Sequence, residues 1–233
     1  MSGMIKFTKN VSNKEIIYIS YDGILEALGQ SQVLKYIKSS RYNKKIILLT
    51  FENTKNLKHI MPIKNMLSQG GIEWHFYLYK KNLWILSKLF DFMRIIYFLI
   101  KKFLFSNIQI IHCRSYFTAY AAYFVRYLFK FNLIFDMRGF WIDERYEWGI
   151  WKKNLRVFQF LKKIEKKLIK VSDKIVVLTK DAKKELITKY KKKDNDIFII
   201  PTCADEKQFS ISNEKYWKGC INFCHLGSIN TRY

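Results

Sequence analysis

The run "EIIYIS" (15–20) passes directly into "YDGILEALGQSQVL" (21–34), and the reading of this junction decides the fold. An almost continuous apolar run of this length suits a strand covered on both faces. The second stretch is unusual for a chain with only 9 glycines in 233 residues, because Gly23 and Gly29 stand with the amides Gln30 and Gln32 and the acids Asp22 and Glu26. An ordinary connector needs a turn residue or two and no such density of polar groups. The segment therefore reads as a ligand loop between a buried strand and a helix.

Six further β-rich runs recur along the chain: "KKIILLTF" (44–51), "GIEWHFYLY" (71–79), "IQIIHC" (108–113), "NLIFDM" (132–137), "DKIVVL" (173–178) and "DIFIIP" (196–201). Helical patterns separate them. This alternation predicts a doubly wound α/β domain with a parallel sheet covered on both faces. In such sheets ligands bind beyond the carboxyl ends of the strands, so the residues after each run are the ones to inspect.

Two helical segments carry separate information. Residues 80–105 are strongly apolar, but Lys88, Asp91 and Arg94 interrupt them, which excludes a simple bilayer-spanning helix. Lys81, Lys88, Arg94, Lys101 and Lys102 give a basic edge beside an apolar face containing Trp84, Phe90, Phe98 and Phe103. That pattern fits either a sheet-covering helix with a solvated rim or a helix lying in a membrane interface. In 151–171, Trp151, Leu155, Phe158, Leu161, Ile164, Leu168 and Val171 fall at steps of three and four and predict one buried stripe.

The net charge of +23 would suit phosphate neutralisation, yet the lysines are spread over the whole chain, as an AT-rich coding sequence would also produce, and no DNA or RNA module is present. No nucleic-acid partner is expected. An anionic membrane surface or an acidic substrate suits the charge better. Cys113, Cys203, Cys220 and Cys224 form no CxxC pair, and the first residues lack the apolar core of a signal peptide, so a reduced, cytoplasmic setting is expected. "CINFCH" (220–225) reads as an apolar strand holding structural thiols rather than as a metal site.

The chain divides into four segments: an N-terminal extension (1–14), a Rossmann-like domain (15–202), a polar linker (203–219) and a further strand (220–233). The last ends in Gly227 and Ser228, as at the start of a nucleotide-binding βα unit, where backbone N–H groups receive phosphate. Its helix does not follow, which reads as a truncated second domain.

Polar residues collect at one sheet end: Asp22, Gln30 and Gln32 after the first strand, His112 and Arg114 at the fourth, and Asp136, Arg138, Asp143 and Glu144 at the fifth. Hydroxyl-rich ligands need such mixed donors and acceptors, and Tyr116, Phe140 and Trp141 could cover a sugar ring. "YDGILEALGQSQVL", "HCRSYFTAY", "FDMRGFWIDE", "DKIVVLTKDAKKEL", "IPTCADEKQF" and "HLGSINTRY", in this order, resemble the N-terminal half of a family 4 glycosyltransferase with the GT-B fold. The resemblance runs from about Glu15 to Tyr233. It implies an acceptor-side Rossmann-like domain facing a donor domain, a nucleotide-sugar as co-substrate, a glycan or lipid-linked acceptor, retention of anomeric configuration, and neither metal nor other cofactor. Gly23 and Gly29 would bring backbone close to the cleft, Arg114 and Arg138 would contact acceptor or phosphate, Asp143 or Glu144 an acceptor hydroxyl, and Gly227 and Ser228 the donor phosphates. The two-glutamate donor motif of the family is absent, which leaves two readings open: a hexose-transferring enzyme half, or a non-catalytic acceptor- or membrane-binding remnant.

Overall fold

The computed structural model describes residues 15–39, 45–78, 84–149 and 154–202. Seven strands, β1 (Glu15–Ser20), β2 (Ile46–Glu52), β3 (Ile72–Leu78), β4 (Ile108–Arg114), β5 (Asn132–Asp136), β6 (Lys174–Val177) and β7 (Ile197–Ile199), form one sheet in the order β3-β2-β1-β4-β5-β6-β7. Every pairing is parallel. All seven apolar runs are strands, although the last is shorter than its run. Phe198 and Ile199 are exposed there, as the edge position of β7 allows.

Alternation along the central strands divides the core into two layers. Ile17, Ile19, Ile47, Leu49, Ile111 and Cys113 face one cluster, and Tyr18, Leu48 and Trp74 face the other. After the short turn α1 (Ala27–Gly29), the second layer is covered by a π-helical turn (Gln30–Leu34), α2 (Lys35–Ser39) and α3 (Ile60–Gln69). The first is covered by α4 (Trp84–Phe105), α5 (Ser115–Val125), α7 (Leu155–Val171) and α8 (Lys180–Tyr190), with the short α6 (Trp141–Glu147) after β5. The chain turns from one face to the other between β3 and β4, so the strand order reverses between β1 and β4. That reversal opens the crevice in which doubly wound folds bind ligands.

Two helix readings need correction. In α4, Phe98 and Phe103 are buried in the core, whereas Leu86, Leu89, Phe90, Met93, Tyr97 and Leu104 are exposed. The basic edge is largely turned inward. Lys102 pairs with Glu73 at 2.5 Å, Arg94 donates to the Leu78 carbonyl and pairs with Asp91, and Lys88 lies 3.6 Å over the Tyr21 ring. In α7, capped by the Asn154 side chain accepting from the Val157 N–H, the stripe is buried at Leu168 and packs through Phe158, Leu161, Ile164 and Val171, but Leu155 is exposed. Trp151 and Lys81 lie outside the described residues.

Candidate functional site

The loop after β1 is built on a carboxylate that the sequence reading overlooked. Glu52, the last residue of β2, is fully buried and accepts the N–H groups of Ile24 (2.9 Å) and Leu25 (3.1 Å). Thr50 donates to it at 2.5 Å, and the Trp74 indole donates in turn to Thr50 at 2.8 Å. Burial raises the Glu52 carboxyl pKa, opposed by these hydrogen bonds. Gly23 packs on this acid: a Cβ there would lie 2.4 Å from Glu52 Oε2. A Cβ on Gly29 would lie 1.8 Å from the Gly23 carbonyl oxygen. The close approach that both glycines permit is to the protein's own loop. The segment is also less open than its composition suggests, because a helical turn begins at Ala27 and becomes a π-turn over Gln30–Leu34. Such turns recur at functional sites because they re-aim one side chain. Here that side chain is Gln32.

At the crevice between β1 and β4, two guanidinium groups converge on one neutral oxygen. Gln32 Oε1 accepts from Arg114 Nη2 at 2.6 Å and from Arg138 Nη2 at 2.8 Å. Arg114 Nε also donates to Asp22 Oδ2 at 3.1 Å, and Arg138 Nη2 reaches the Thr202 hydroxyl at 3.2 Å. Beneath them, Asp136 Oδ2 is 3.8 Å from His112 Nε2, and its Oδ1 is 3.9 Å from Arg138 Nη1. The Tyr18 and His112 rings, on residues paired in register across β1 and β4, make a tilted contact at a centroid distance of 4.5 Å. Four buried polar atoms in this cluster have no hydrogen-bond partner among the described residues: Tyr18 Oη, His112 Nε2, Arg114 Nη1 and Asp136 Oδ1. Burial, then the Asp136 charge, raises the Tyr18 phenol. Burial lowers the Arg138 guanidinium, opposed by Asp136 and reinforced by Arg114.

The backbone is strained at the same place. Ser115 and Arg138, immediately after β4 and near the end of β5, have φ of 75° and 62°. The Gly139 N–H closes a three-residue turn about Arg138 by donating to the Met137 carbonyl at 2.8 Å. A positive-φ turn of this kind at a residue other than glycine is rare, and such strain collects at functional sites. A cavity of about 500 Å³ opens beside Arg138, lined also by Gln32, Lys35, Tyr36, Lys38 and Thr202.

Asp22, Gln32, His112, Arg114, Asp136 and Arg138 are thus brought together. Other expected residues lie elsewhere. Gln30 is exposed and donates to the Leu25 carbonyl of its own loop. Asp143 pairs with Lys162 at 2.7 Å, and Lys162 also contacts the fully buried Glu165. Tyr116 is buried with its single hydroxyl proton within reach of two acceptors, Glu165 at 2.9 Å and the Gly139 carbonyl at 3.0 Å, so it is a core contact. Glu144 lines a smaller cavity of about 240 Å³ with Gly139 and Thr179, where a Cβ on Gly139 would lie 2.8 Å from Glu144 Oε1. Phe140 packs on the core, and Trp141 carries the Arg145 guanidinium 4.9 Å from its ring. Gly227, Ser228, Cys220, Cys224 and His225 lie outside the described residues. Among the described residues, no group of three His, Cys, Asp or Glu side chains could hold a metal ion.

Lys35, Tyr36 and Thr202 were not singled out from the sequence, nor was Tyr18. A phenol inside an otherwise apolar, doubly covered strand was the available signal, since its hydroxyl needs a partner.

Sheet order and crevice define a Rossmann-like, doubly wound α/β domain. The glycosyltransferase family 4 model matches residues 67–208, more than half of the chain, and the chain belongs to that family. Among curated proteins none matches significantly. Among solved structures, Phytolacca americana UGT2 complexed with UDP-2fluoro-glucose and pterostilbene is similar at 12% identity and a TM-score of 0.55, with 83% of this chain and 54% of that one covered. Anabaena Alr3699/HepE in complex with UDP and glucose is similar at 11% identity and a TM-score of 0.52, with 86% and 48% covered. Arabidopsis thaliana UGT89C1 complexed with UDP-L-rhamnose is similar at 12% identity and a TM-score of 0.52, with 84% and 54% covered. At such identities the likeness shows the fold. The chain spans about half the length of these structures.

Proposed function

We propose that this chain is the acceptor-side half of a glycosyltransferase that moves a hexose from a nucleotide-sugar to a surface polysaccharide or lipid-linked glycan. The observation that carries this reading is the pair Arg114 and Arg138, held on Gln32 at the strand-order reversal beside an open cavity. Transfer requires acceptor hydroxyl, anomeric carbon and leaving diphosphate to be held together, and the departing charge to be stabilised. The described residues supply the first side of that arrangement: Asp22, Gln32 and Thr202 offer acceptor and donor groups, and the arginines fix charge. Grip on the nucleotide belongs to a donor domain. This acceptor-side half alone is therefore expected to give no turnover, and joining it to the donor half of a close relative is expected to restore transfer.

In that joined enzyme, Arg138→Ala should lower kcat/KM by about 2 to 4 kcal/mol of transition-state stabilisation while thermal stability changes little. A collapse of Tm with unchanged kcat/KM per folded molecule would make Arg138 a structural group and overturn the assignment.

We also infer a peripheral contact with an anionic membrane, on the inner face of the cytoplasmic membrane. Among the described residues no helix is long and apolar enough to cross a membrane. What supports a surface contact is the outward stripe of α4, with Phe90, Met93 and Tyr97 exposed, continued by Phe124 and Tyr127 of the α5 end, with which Phe92 and Tyr123 make ring contacts. Exposed Lys101 and Lys130 border it, and Lys167 lies 4.9 Å over the Tyr123 ring. An apolar face with a basic rim matches an anionic interface. Since Lys102 is occupied by Glu73, the informative variant is Phe90→Ser with Tyr97→Ser. It should lose binding to vesicles containing anionic lipid, which wild type keeps at low salt. Equal binding by both would leave only the general charge of the chain.

A further inference from the structure

Ser115 and Arg138, both held in left-handed backbone, follow different strands, yet one side chain connects them. A Cβ is crowded in that conformation, so an arginine keeps it only where the surrounding structure fixes the turn on both sides. On the way in, the Met137 N–H donates to the Val176 carbonyl of β6 at 2.9 Å. On the way out, the Gly139 carbonyl meets the Tyr116 hydroxyl at 3.0 Å. Tyr116 is the second residue of α5, directly after Ser115, so the strained start of that helix sets where the phenol stands.

The phenol is itself held from behind. Its oxygen lies 2.9 Å from Glu165 Oε2, and Glu165 Oε1 accepts from Tyr190 and Lys162. Lys162 is fixed in turn by Asp143 at 2.7 Å. Burial, then the Glu165 charge, raises the Tyr116 phenol, so it keeps its proton for donation.

We propose that Tyr116 is a positioning residue for Arg138: its hydroxyl, backed by Glu165, fixes the Gly139 carbonyl and with it the turn that delivers the guanidinium to Gln32. Tyr116 acts through Arg138 and not on a ligand. The inference rests on the acceptor-side reading only for its effect on transfer, because the effect on the turn is a property of this chain alone.

The first measurement uses the whole chain, isotope-labelled, and reads the Arg138 Nε–H resonance by NMR, assigned by its loss in Arg138→Ala. Tyr116→Phe keeps the ring, removes the hydroxyl and should move that resonance. Tyr190→Phe removes the other phenol on Glu165 and should leave it in place. An unmoved resonance in Tyr116→Phe would overturn the inference. So would an equal displacement in Tyr190→Phe, which would mean a general response of the network.

The second measurement is thermal, again on the whole chain. Glycine enters the left-handed region freely, so Arg138→Gly removes the need for a hold on the turn. The Tm lost through Tyr116→Phe should therefore be smaller by about half when Arg138→Gly is also present. This coupling can be read even where Tyr116→Phe alone is too unstable for spectroscopy. An equal loss with and without Arg138→Gly would show that the hydroxyl serves Glu165 alone, and the inference would fail.

In the donor-joined enzyme, Tyr116→Phe should lower kcat/KM about 10-fold and add nothing to the loss in Arg138→Ala. A full further loss on top of Arg138→Ala, or transfer by Tyr116→Phe equal to wild type, would overturn the positioning role and leave the acceptor-side reading standing. Transfer absent from every form, with the resonance shift and the Tm coupling both present, would do the reverse.

Discussion

Two groups of buried polar side chains sit at the carboxyl end of the same sheet and differ in how they are satisfied. At the end of β2, Trp74, Thr50 and Glu52 form a chain of hydrogen bonds that finishes on the backbone of Ile24 and Leu25. Between β1, β4 and β5, a few residues away, Tyr18, His112, Arg114 and Asp136 each keep one buried atom without a partner among the described residues. A buried polar group that is fully paired rigidifies the fold, whereas an unpaired one costs free energy that the fold must offset elsewhere. The first group therefore holds the loop that aims Gln32, and the second is the surface that the loop is aimed at. On the proposed acceptor-side reading, stability and ligand recognition would be separated by one strand, and substitutions on either side should have opposite signatures.

The largest effect is expected at Glu52. Glu52→Ala removes the acceptor for two buried N–H groups and for Thr50, and each orphaned group costs roughly 1 to 3 kcal/mol, so a loss of at least about 3 kcal/mol in unfolding free energy should appear in urea denaturation. Thr50→Val, which breaks the link to Trp74, should lose about half as much. A near-neutral Glu52→Ala would show that the loop is held by something other than this carboxylate, and the division between the two clusters would fail.

The fold was readable because its signal is carried by buried strands. "EIIYIS" and "NLIFDM" are apolar almost throughout, and a doubly covered strand accommodates them best. The site was readable only where a polar residue follows such a run directly, as with Asp22, Arg114 and Asp136. Where a helix comes next, direction depends on local winding. Gln30 and Gln32 look equivalent on paper, yet the π-turn sends one to solvent and the other to the arginines. Asp143 and Tyr116 were misplaced for a related reason: their partners Lys162 and Glu165 lie on α7, far along the chain, and a periodic helix pattern does not show that a charged position is turned inward. Glu165, fully buried within a lysine-rich helix, could not have been separated from its exposed neighbours by spacing alone.

A smaller effect extends the comparison to a satisfied network at the rim. Glu73 accepts from Lys102 at 2.5 Å and pairs with Lys45 and His75 at 2.6 Å each. Partial burial opposes ionisation, but these hydrogen bonds prevail and hold its carboxyl at about 2. Because this folded value lies below the ordinary one, the contribution to stability is complete above the unfolded carboxylate pKa and is lost as pH falls from there toward 2. The side chain is 32% exposed, so solvent screening limits the network to about 1 kcal/mol. Glu73→Gln should be less stable than wild type by that amount at about pH 7, with the gap narrowing between pH 4.5 and the acid end of the folded range. A gap independent of pH would mean that packing, not charge, is responsible.

The smallest change in stability is expected at Tyr18, and it is the sharpest test of the contrast. Its hydroxyl is buried and unpartnered among the described residues, while its ring is held by His112 at 4.5 Å and Tyr36 at 6.0 Å. Tyr18→Phe keeps the ring contacts and removes only the unpaired group. By the asymmetry between making and orphaning hydrogen bonds, unfolding free energy should stay within about 1 kcal/mol of wild type and shift, if at all, toward greater stability. On the proposed acceptor-side reading, the same substitution in the donor-joined enzyme should lower kcat/KM, because a hydroxyl that feels the Asp136 and Arg114 charges and has no partner among the described residues would be left for the ligand. Thr50→Val supplies the control on the other side of β1, with stability lost through broken hydrogen bonds. If Tyr18→Phe instead destabilised the chain as much as Thr50→Val while leaving kcat/KM unchanged, the two clusters would both be structural, and the crevice between β1 and β4 would lose its claim to be the site.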